Sequence, residues 1–250
     1  MEERRNAIVE LVNRESSVTF AQIREHFPEV SEVTLRADLK ALDKAHRIVR
    51  VYGGARSIEF AVGGDGQPRA RMGRNAAAKQ AIARKAAALI RPNTTIYLDS
   101  GSTCAHLAAS LPDVRLIVFT PGVINMMELA RYDNLRVIVP GGTLNRYNLA
   151  LEGSRAVDYV GGLTFDQVFL GTAGYSPEVG FTCGNDEGAA LKRAAIAQTE
   201  ERIVLMDSTK VGSRTTFSMC DLSDVDTVIS DDDPSADFAR RCREANVELL

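Results

Sequence analysis

The sequence predicts two domains: a small N-terminal domain of helices with a β-hairpin, and a larger α/β domain with a mostly parallel sheet. In the first part of the chain, three helical patterns precede a short strand that two glycines end. From Ala76 onward, short apolar strands alternate with helical stretches, a pattern typical of a parallel sheet covered on both faces. We expect the domains to span residues 1–57 and 75–250, with a Gly-rich polar linker over 58–74.

Three helices are predicted in the N-terminal domain. Residues 4–13 place apolar side chains on one side of a helix. The second helix opens at Thr19, which has Gln22 three residues later, as in a capping box, and it ends near the following Phe-Pro pair. Ser31 is a suitable N-cap for a third helix that runs to about Lys44.

A strand over Arg47–Tyr52, ended by Gly53-Gly54, completes the pattern of a winged helix-turn-helix. On a helical wheel, leucines form the buried face of the third helix, and small apolar and basic residues occupy the opposite face. Such a face suits the DNA major groove, although an ordinary surface helix would also show it. The residues predicted to contact DNA are Ser31, Val33, Thr34, Arg36, Ala37, Lys40, Lys44, Arg47 and Arg50.

The larger domain begins with a predicted helix over Ala78–Ile90, which ends before a proline. Short apolar runs then alternate with further helical patterns. The predicted strands are Thr95–Leu98, Leu116–Phe119, Val137–Val139, Gln167–Leu170, Ile203–Met206, Thr227–Ile229 and Val247–Leu249.

Small, polar or charged residues follow almost every predicted strand. Because ligands of open α/β sheets bind beyond the carboxyl ends of the strands, we expect these residues to converge on one site. The stretch Asp99-Ser100-Gly101-Ser102-Thr103 is the most informative, since its hydroxyls and N–H groups lie where a helix begins. The helix dipole favours an anion there, such as a sugar phosphate. A capped strand-helix turn without a ligand is the alternative.

Charged residues after other strands would complete this site. Lys210 can add positive charge for a phosphate, or it is a solvated loop lysine. Asp99 and Asp207 can accept hydrogen bonds from sugar hydroxyls, or they cap local backbone. Lys192 and Glu187 can contact the effector, or they form an ordinary surface pair five residues apart. The predicted effector-binding residues are Asp99, Ser100, Gly101, Ser102, Thr103, Thr120, Gly141, Gly142, Glu187, Lys192, Asp207 and Lys210.

Motifs from both halves of the chain resemble the DeoR family of sugar-catabolism repressors over about nine-tenths of its length. In the N-terminal half they are the run from Val30 to Leu39 and the run from Arg50 to Ala55. In the C-terminal half they are Asp99 to Thr103, Pro140-Gly141-Gly142, Gly180-Phe181-Thr182 with Glu187 and Lys192, and Asp207-Ser208-Thr209-Lys210.

The resemblance implies a sensor fold related to ribose-5-phosphate isomerase and glucosamine-6-phosphate deaminase. It also implies a phosphorylated sugar or sugar-alcohol effector and an oligomeric repressor that releases DNA when the effector binds. Two departures matter. Ala37 stands where the family usually has an arginine, and Thr120-Pro121-Gly122 stands where it often has Thr-Asn-Ser. These change the expected operator contacts and the sugar end of the pocket, respectively.

Composition limits the partners. The net charge of −3 argues against a generally basic nucleic-acid coat protein. The longest apolar runs are too short to span a bilayer, and no apolar run follows the charged N-terminus, so we expect a cytoplasmic protein without membrane contact. The four cysteines and three histidines lack metal-ligand spacing, and we expect neither a metal nor a cofactor.

Two other functions fit some of these features. A sugar-phosphate isomerase or deaminase would need a base, for which Asp99, Asp186 or Glu187 would serve. An adaptor would use the winged helix for protein contacts. We favour a non-enzymatic regulator because a DNA-binding domain gives a metabolic enzyme no advantage. Its expected partners are double-stranded operator DNA, a phosphorylated sugar and further copies of the chain, as a dimer or tetramer.

Overall fold

The computed structural model describes residues 2–15, 17–51, 53–57, 68–231 and 234–250. The chain divides into two compact units, residues 1–74 and residues 75–250. None of the helices in these described ranges has both the length and the apolar character needed to cross a membrane.

The N-terminal unit packs three helices and a small antiparallel sheet around one apolar core. The strand order is β1-β3-β2. The elements are α1 (Glu2–Glu15), β1 (Ser17–Thr19), α2 (Phe20–His26), α3 (Glu32–Lys44), β2 (Val49–Val51) and β3 (Gly54–Arg56).

The predicted caps of this unit are confirmed. The Thr19 hydroxyl accepts a hydrogen bond from the Gln22 N–H at 3.2 Å, and the Gln22 side chain accepts one from the Thr19 N–H at 2.8 Å. The Ser31 hydroxyl accepts from the Thr34 N–H at 3.2 Å. The predicted strand is shorter than expected, Val49–Val51, and its Tyr52 lies outside the described residues.

Two features of this unit differ from the sequence expectation. Strand β1 was not predicted, because its three residues gain their hydrogen bonds from β3, far along the chain. Within the predicted linker, residues 58–67 lie outside the described part, but Pro68–Gly73 form a short helix, α4. Proline suits the first position of a helix, and the arginine, alanine and methionine that follow favour helix.

The C-terminal unit contains a seven-stranded sheet in the order β15-β14-β12-β9-β4-β5-β6, and every neighbouring pair is parallel. The hairpin β7–β8 and the antiparallel sheet β10-β11-β13 lie outside it. The strands are β4 (Thr95–Leu98), β5 (Leu116–Phe119), β6 (Leu135–Ile138), β7 (Thr143–Asn145), β8 (Ala150–Glu152), β9 (Phe165–Gly171), β10 (Gly174–Ser176), β11 (Gly180–Cys183), β12 (Thr199–Leu205), β13 (Phe217–Cys220), β14 (Thr227–Ile229) and β15 (Glu248–Leu249).

Helices cover both faces of the parallel sheet. Alternate strand residues belong to different cores, as the two-residue period of a strand requires: Tyr97 and Val168 lie in one core, Ile96 and Phe169 in the other. The helices are α5 (Ala76–Ala88), α6 (Ser102–Ala108), α7 (Val123–Leu129), α8 (Ser154–Gly161), α9 (Asp186–Ala197) and α10 (Ala236–Glu244).

The predicted α/β class with a mostly parallel sheet is confirmed. Three strands, β4, β5 and β14, have the predicted bounds. Strand β9 extends beyond its prediction at both ends, and β12 begins four residues earlier and ends one residue earlier than predicted. Strands β6 and β15 shift or shorten at their ends. Helix α5 is shifted two residues toward the N-terminus. The hairpin and the antiparallel sheet were not predicted, because their strands are three or four residues long and lack a clear alternation.

The strand order creates a switch point between β4 and β9. From β4 the chain adds β5 and then β6 on one side, and from β9 it adds β12, β14 and β15 on the other. In open α/β sheets, the crevice beyond the carboxyl ends of two such strands is the usual ligand site. Asp99 follows β4 and Thr172 follows β9 at this position.

A buried carboxylate connects α1 to α3 in the N-terminal unit. Asp38 is 2% exposed, and its two oxygens accept hydrogen bonds from Arg4 Nε at 2.7 Å and Arg5 Nε at 2.8 Å. Burial by itself raises the pKa of Asp38, but the hydrogen bonds and charges of the two arginines lower it below the ordinary value.

Replacing Asp38 with Ala should destabilise the N-terminal unit by about 2 kcal/mol, because two charge-assisted hydrogen bonds are lost. Amide hydrogen exchange of α1 and α3 in the full chain measures this, with exposed Glu29→Ala as the control. Since the folded pKa of Asp38 is lowered, its contribution is present at neutral pH and is lost as the pH falls through that pKa. Equal protection in the two variants would contradict the assignment.

Candidate DNA-binding face and effector site

Helix α3 has the two faces that the sequence predicts. Leu35, Leu39 and Leu42 are buried in the core of the N-terminal unit. The opposite face is exposed along the whole helix, and Val33 is 78% exposed. The exposed residues of this face are Val33, Ala37, Lys40 and Lys44.

Arg36 lies beside this face and is oriented by neighbours within the unit. Its guanidinium carbon lies 4.1 Å from the centre of the Phe20 ring, and its Nη2 lies 3.5 Å from Glu32 Oε2. Glu32 also accepts a hydrogen bond from Arg24 at 2.8 Å. This bond from Arg24, with a smaller contribution from Arg36, lowers the pKa of Glu32 despite desolvation. Arg36 remains exposed enough to reach a phosphate.

The other predicted DNA contacts have different surroundings. Arg47 is half-buried and donates to Asn6 Oδ1 at 3.0 Å and to Glu2 Oε1 at 3.3 Å, so it connects the end of α3 to α1. Arg50 is exposed on β2, and its N–H donates to Asp43 at 2.9 Å. The Ser31 hydroxyl lies 2.8 Å from that of Thr34 and caps α3.

In the C-terminal unit, a buried ion pair lies at the switch point. Asp99 is 2% exposed, and its Oδ2 accepts hydrogen bonds from the Gly171 N–H at 3.0 Å and from Lys192 Nζ. Lys192 is 7% exposed and also donates to the Gly171 carbonyl oxygen at 3.1 Å. The ends of β4 and β9 and the middle of α9 are therefore held together by one set of polar contacts.

This pair shows that the surface pair of Lys192 with Glu187 is wrong, while contact of Lys192 with the effector stays a prediction. Its partner is Asp99, 93 residues earlier, and not Glu187, which is exposed in the first turn of α9. Burial alone lowers the pKa of Lys192, but the adjacent Asp99 carboxylate raises it above the ordinary lysine value. Lys192 is therefore cationic inside the unit.

The predicted phosphate loop borders the pair. Helix α6 begins at Ser102, and its N-cap, Gly101, has a φ of 109°, a conformation that favours glycine. Gly101 has no side chain, so it does not cap the first N–H groups of α6. Ser100, Ser102 and Thr103 are half-buried. The loop thus has the hydroxyls and backbone geometry that an anion requires.

Thr120 and Asn125 connect the ends of β4 and β5 beside this loop. The Thr120 hydroxyl accepts from the Gly122 N–H at 3.1 Å and from Asn125 Nδ2 at 3.0 Å. Asn125 Nδ2 also donates to the Asp99 carbonyl oxygen at 2.7 Å. Thr120, predicted to contact the effector, is fully buried and positions the loop. Asn125 Oδ1 has no hydrogen-bond partner within the described residues.

A second buried carboxylate, which the sequence analysis did not single out, lies at the end of β8. Glu152 accepts hydrogen bonds from the amides of Asn185 at 2.7 Å, Asn145 at 2.8 Å and Asn148 at 3.2 Å. Asn185 is the N-cap of α9, so this network joins the β7–β8 hairpin to the helix that carries Lys192. The sequence does not predict a role for these three asparagines, because their shared partner, Glu152, is brought to them only by the fold.

Gly141 and Gly142 are exposed in the loop before β7. Gly142 has a φ of 145°, and a Cβ there would lie 2.5 Å from the Glu152 carbonyl oxygen. This close approach requires glycine and places the loop against the end of β8. The predicted loop residues thus border the Glu152 network.

Asp207 and Lys210 lie one strand farther from β4, after β12. Asp207 is buried, and its Oδ1 accepts from Asn75 Nδ2 at 3.1 Å and from the Thr209 hydroxyl. Lys210 is half-buried at the end of a short 3₁₀ turn, Ser208–Lys210. The structure thus joins Asp99, the loop over 100–103, Thr120 and Lys192 directly, with Asp207 and Lys210 flanking them.

The described residues contain no cluster of three or more His, Cys, Asp or Glu side chains able to hold a metal ion. The four cysteines form no disulfide and are buried. Burial raises the pKa of the Cys220 thiol to about 12 and that of Cys242 to about 11, so both remain protonated near neutral pH.

Replacing Lys192 with Met should lower the free energy of unfolding by about 3 kcal/mol at pH 7, because Asp99 would remain buried without a cation. Denaturant titration measures this, and the double variant Asp99→Asn, Lys192→Met should recover part of the loss. Because the folded pKa of Lys192 is raised, the pair stabilises the unit below the ordinary lysine pKa and loses effect only as pH rises through the raised one. An unchanged single variant would contradict the role of the pair.

Comparison with known proteins agrees with this arrangement. Residues 4–60 match the family model of the DeoR-like helix-turn-helix domain, and residues 74–232 match that of the DeoR C-terminal sensor domain. The uncharacterized HTH-type transcriptional regulator YulB of Bacillus subtilis is 33% identical, over 99% of this chain and 96% of the relative. GolR, a transcriptional regulator of Listeria innocua, is 31% identical over 99% of this chain and 97% of its own length. The repressor GlcR of Bacillus subtilis is 29% identical over 100% and 95%.

Solved structures show more distant likeness. Ribose 5-phosphate isomerase A of Methanocaldococcus jannaschii aligns with a TM-score of 0.41 and 17% identity, over 55% of each chain. The eIF2B beta subunit of Chaetomium thermophilum aligns with a TM-score of 0.44 and 15% identity, over 60% of this chain and 47% of that one. From the two family models and the full-length relatives, the chain belongs to the DeoR family of DNA-binding transcriptional regulators.

Proposed function

We propose that this regulator represses a carbohydrate-utilisation operon and is released from its operator by a phosphorylated sugar or sugar alcohol. The observation that carries the proposal is the position of the loop over 100–103. It lies at the switch point, on the Asp99–Lys192 pair, at the start of an uncapped helix. Ligands of open parallel sheets bind at this place, and the start of a helix favours an anion.

The phosphate would bind the hydroxyls of Ser100, Ser102 and Thr103 and the N–H groups at the start of α6. The sugar would extend toward β5, where Asn125 Oδ1 is an acceptor that a sugar hydroxyl would satisfy. Two loops flank this crevice, one with Gly141 and Gly142 and the other with Lys210. We propose that they close on the effector, with Lys210 adding positive charge near the phosphate.

On the DNA side, α3 would enter the major groove. Its exposed face carries Lys40 and Lys44, with Arg36 at its side. Paired chains would present two such helices to a symmetric or repeated operator.

To move a repressor from 99% bound to 99% free, an effector must discriminate between the two states by roughly 5 kcal/mol. GlcR, which is similar along its whole length, is named a transcriptional repressor, and this supports repression rather than activation.

A sugar-phosphate enzyme with a DNA-binding domain is the weaker proposal. Of the three possible bases, Asp99 is engaged by Lys192 and by the Gly171 N–H, so its carboxylate is not available to remove a proton from a sugar carbon. Asp186 and Glu187 are exposed at the start of α9. A general base must be held within hydrogen-bond reach of the proton that it removes, and neither exposed side chain is enclosed in this way.

The Ser102→Asp variant should lose its response to effector, because a carboxylate would repel the phosphate. The measurement is a thermal-shift screen of sugar phosphates, sugar-alcohol phosphates and their unphosphorylated parents, followed by release of operator DNA. Ser235→Asp is the matched control, since Ser235 caps α10 at the far edge of the sheet and aspartate is an equally good cap. A normal response of Ser102→Asp would contradict the site.

Lys40→Ala should weaken binding to all DNA sequences about equally and reduce the slope of log affinity against log salt by about 2, because each of the two paired chains loses one phosphate contact. Titration of labelled duplexes at several salt concentrations measures both effects. Arg131→Ala, which removes an exposed arginine of the sensor unit, is the control. An unchanged slope for Lys40→Ala would remove this residue from the interface.

A further inference from the structure

We propose that Val33 and Ala37 recognise the 5-methyl group of a thymine in the operator. This inference rests on the proposed entry of α3 into the major groove. It names the chemical group on a base that the N-terminal half of the helix contacts.

The first observation is the exposure of Val33. Among the described residues of the N-terminal unit, it is the one large apolar side chain that is exposed, and 78% of its surface is accessible. It contributes nothing to the apolar core formed by Leu35, Leu39 and their neighbours. Its two branches leave one strongly preferred rotamer in a helix, so little entropy is lost when it is fixed against a partner.

The second observation is the order of residues along the exposed face of α3. Val33 and Ala37 are one turn apart in its first half, and Lys40 and Lys44 continue the same face toward the C-terminus. The face is therefore apolar where the helix begins and cationic where it ends. In recognition helices the N-terminal residues contact base edges. The apolar group that base pairs present in the major groove is the thymine methyl.

The third observation concerns the nearby arginines. Arg36 stacks on Phe20 and lies near Glu32, and Arg24 donates to the same carboxylate. Position 37, one turn after Val33, holds alanine and offers no hydrogen-bond donor. The commonest guanine contact in the groove comes from a Lys or Arg. The first half of the face, at Val33 and Ala37, therefore has the chemistry for a methyl group, and the nearest arginine, Arg36, packs against Phe20 and Glu32 beside it.

The test removes only the methyl group. An operator is first selected from a random duplex library with the full-length protein. Each thymine is then replaced by deoxyuridine, which lacks only the C5 methyl. At one thymine of each half-site, the wild type should lose about fourfold in affinity, as expected for one buried methyl. Val33→Ala should reduce this difference to about twofold or less, because only Ala37 and the shorter new side chain remain near the methyl. Lys40→Ala should bind both operators more weakly but keep the fourfold difference.

Three results would overturn parts of this assignment separately. If no deoxyuridine substitution changes the affinity of the wild type while Lys40→Ala still weakens binding, α3 enters the groove but no methyl is recognised. If Val33→Ala keeps the fourfold difference at the same thymine, another residue contacts the methyl. If neither Lys40→Ala nor Val33→Ala changes affinity, the placement of α3 itself is wrong.

Discussion

The buried ion pair between Asp99 and Lys192 is the constraint on which the sensor unit depends. Two charges taken out of water are tolerated only when they remain paired and hydrogen-bonded, so the three segments that supply the pair must keep fixed positions. Those segments are the end of β4, the end of β9 with Gly171, and the middle of α9. The loop over 100–103 continues directly from Asp99, and its position is therefore set by the pair.

A second network extends this constraint across the carboxyl edge of the sheet. Glu152 accepts three asparagine amides, one of them from Asn185 at the start of α9. Helix α9 is thus held at its N-cap by Glu152 and at its middle by Asp99. In the proposed function, a phosphate at the start of α6 brings negative charge beside a pair that is already balanced. Because Lys192 holds the middle of α9, we expect an anion beside the pair to act on the position of α9 and of the hairpin.

Local patterns predicted most of the architecture but little of the polar chemistry. The parallel strands could be predicted because each is an apolar run bounded by turn residues, and the caps at Thr19 and Ser31 because their partners are three residues away. The partner of Lys192 lies 93 residues away, and Asp38 lies on α3 between buried leucines without any sequence sign of its arginines. The same holds for Asn125 and Glu152, whose roles depend on where separate strands end. Short strands such as β1 were missed because their stability comes entirely from distant pairing.

The N-terminal unit restricts how effector binding can act on DNA. Asp38 connects α3 to α1, and Arg47, three residues after the end of α3, also contacts α1. Arg36 stacks on Phe20 of α2. A recognition helix braced on several sides has one shape, so changing that shape would require breaking buried or charge-assisted contacts. Breaking these contacts would consume the roughly 5 kcal/mol by which the effector must favour the DNA-free state. We therefore propose that the effector acts on the spacing of two paired DNA-binding units and leaves the shape of each unit unchanged.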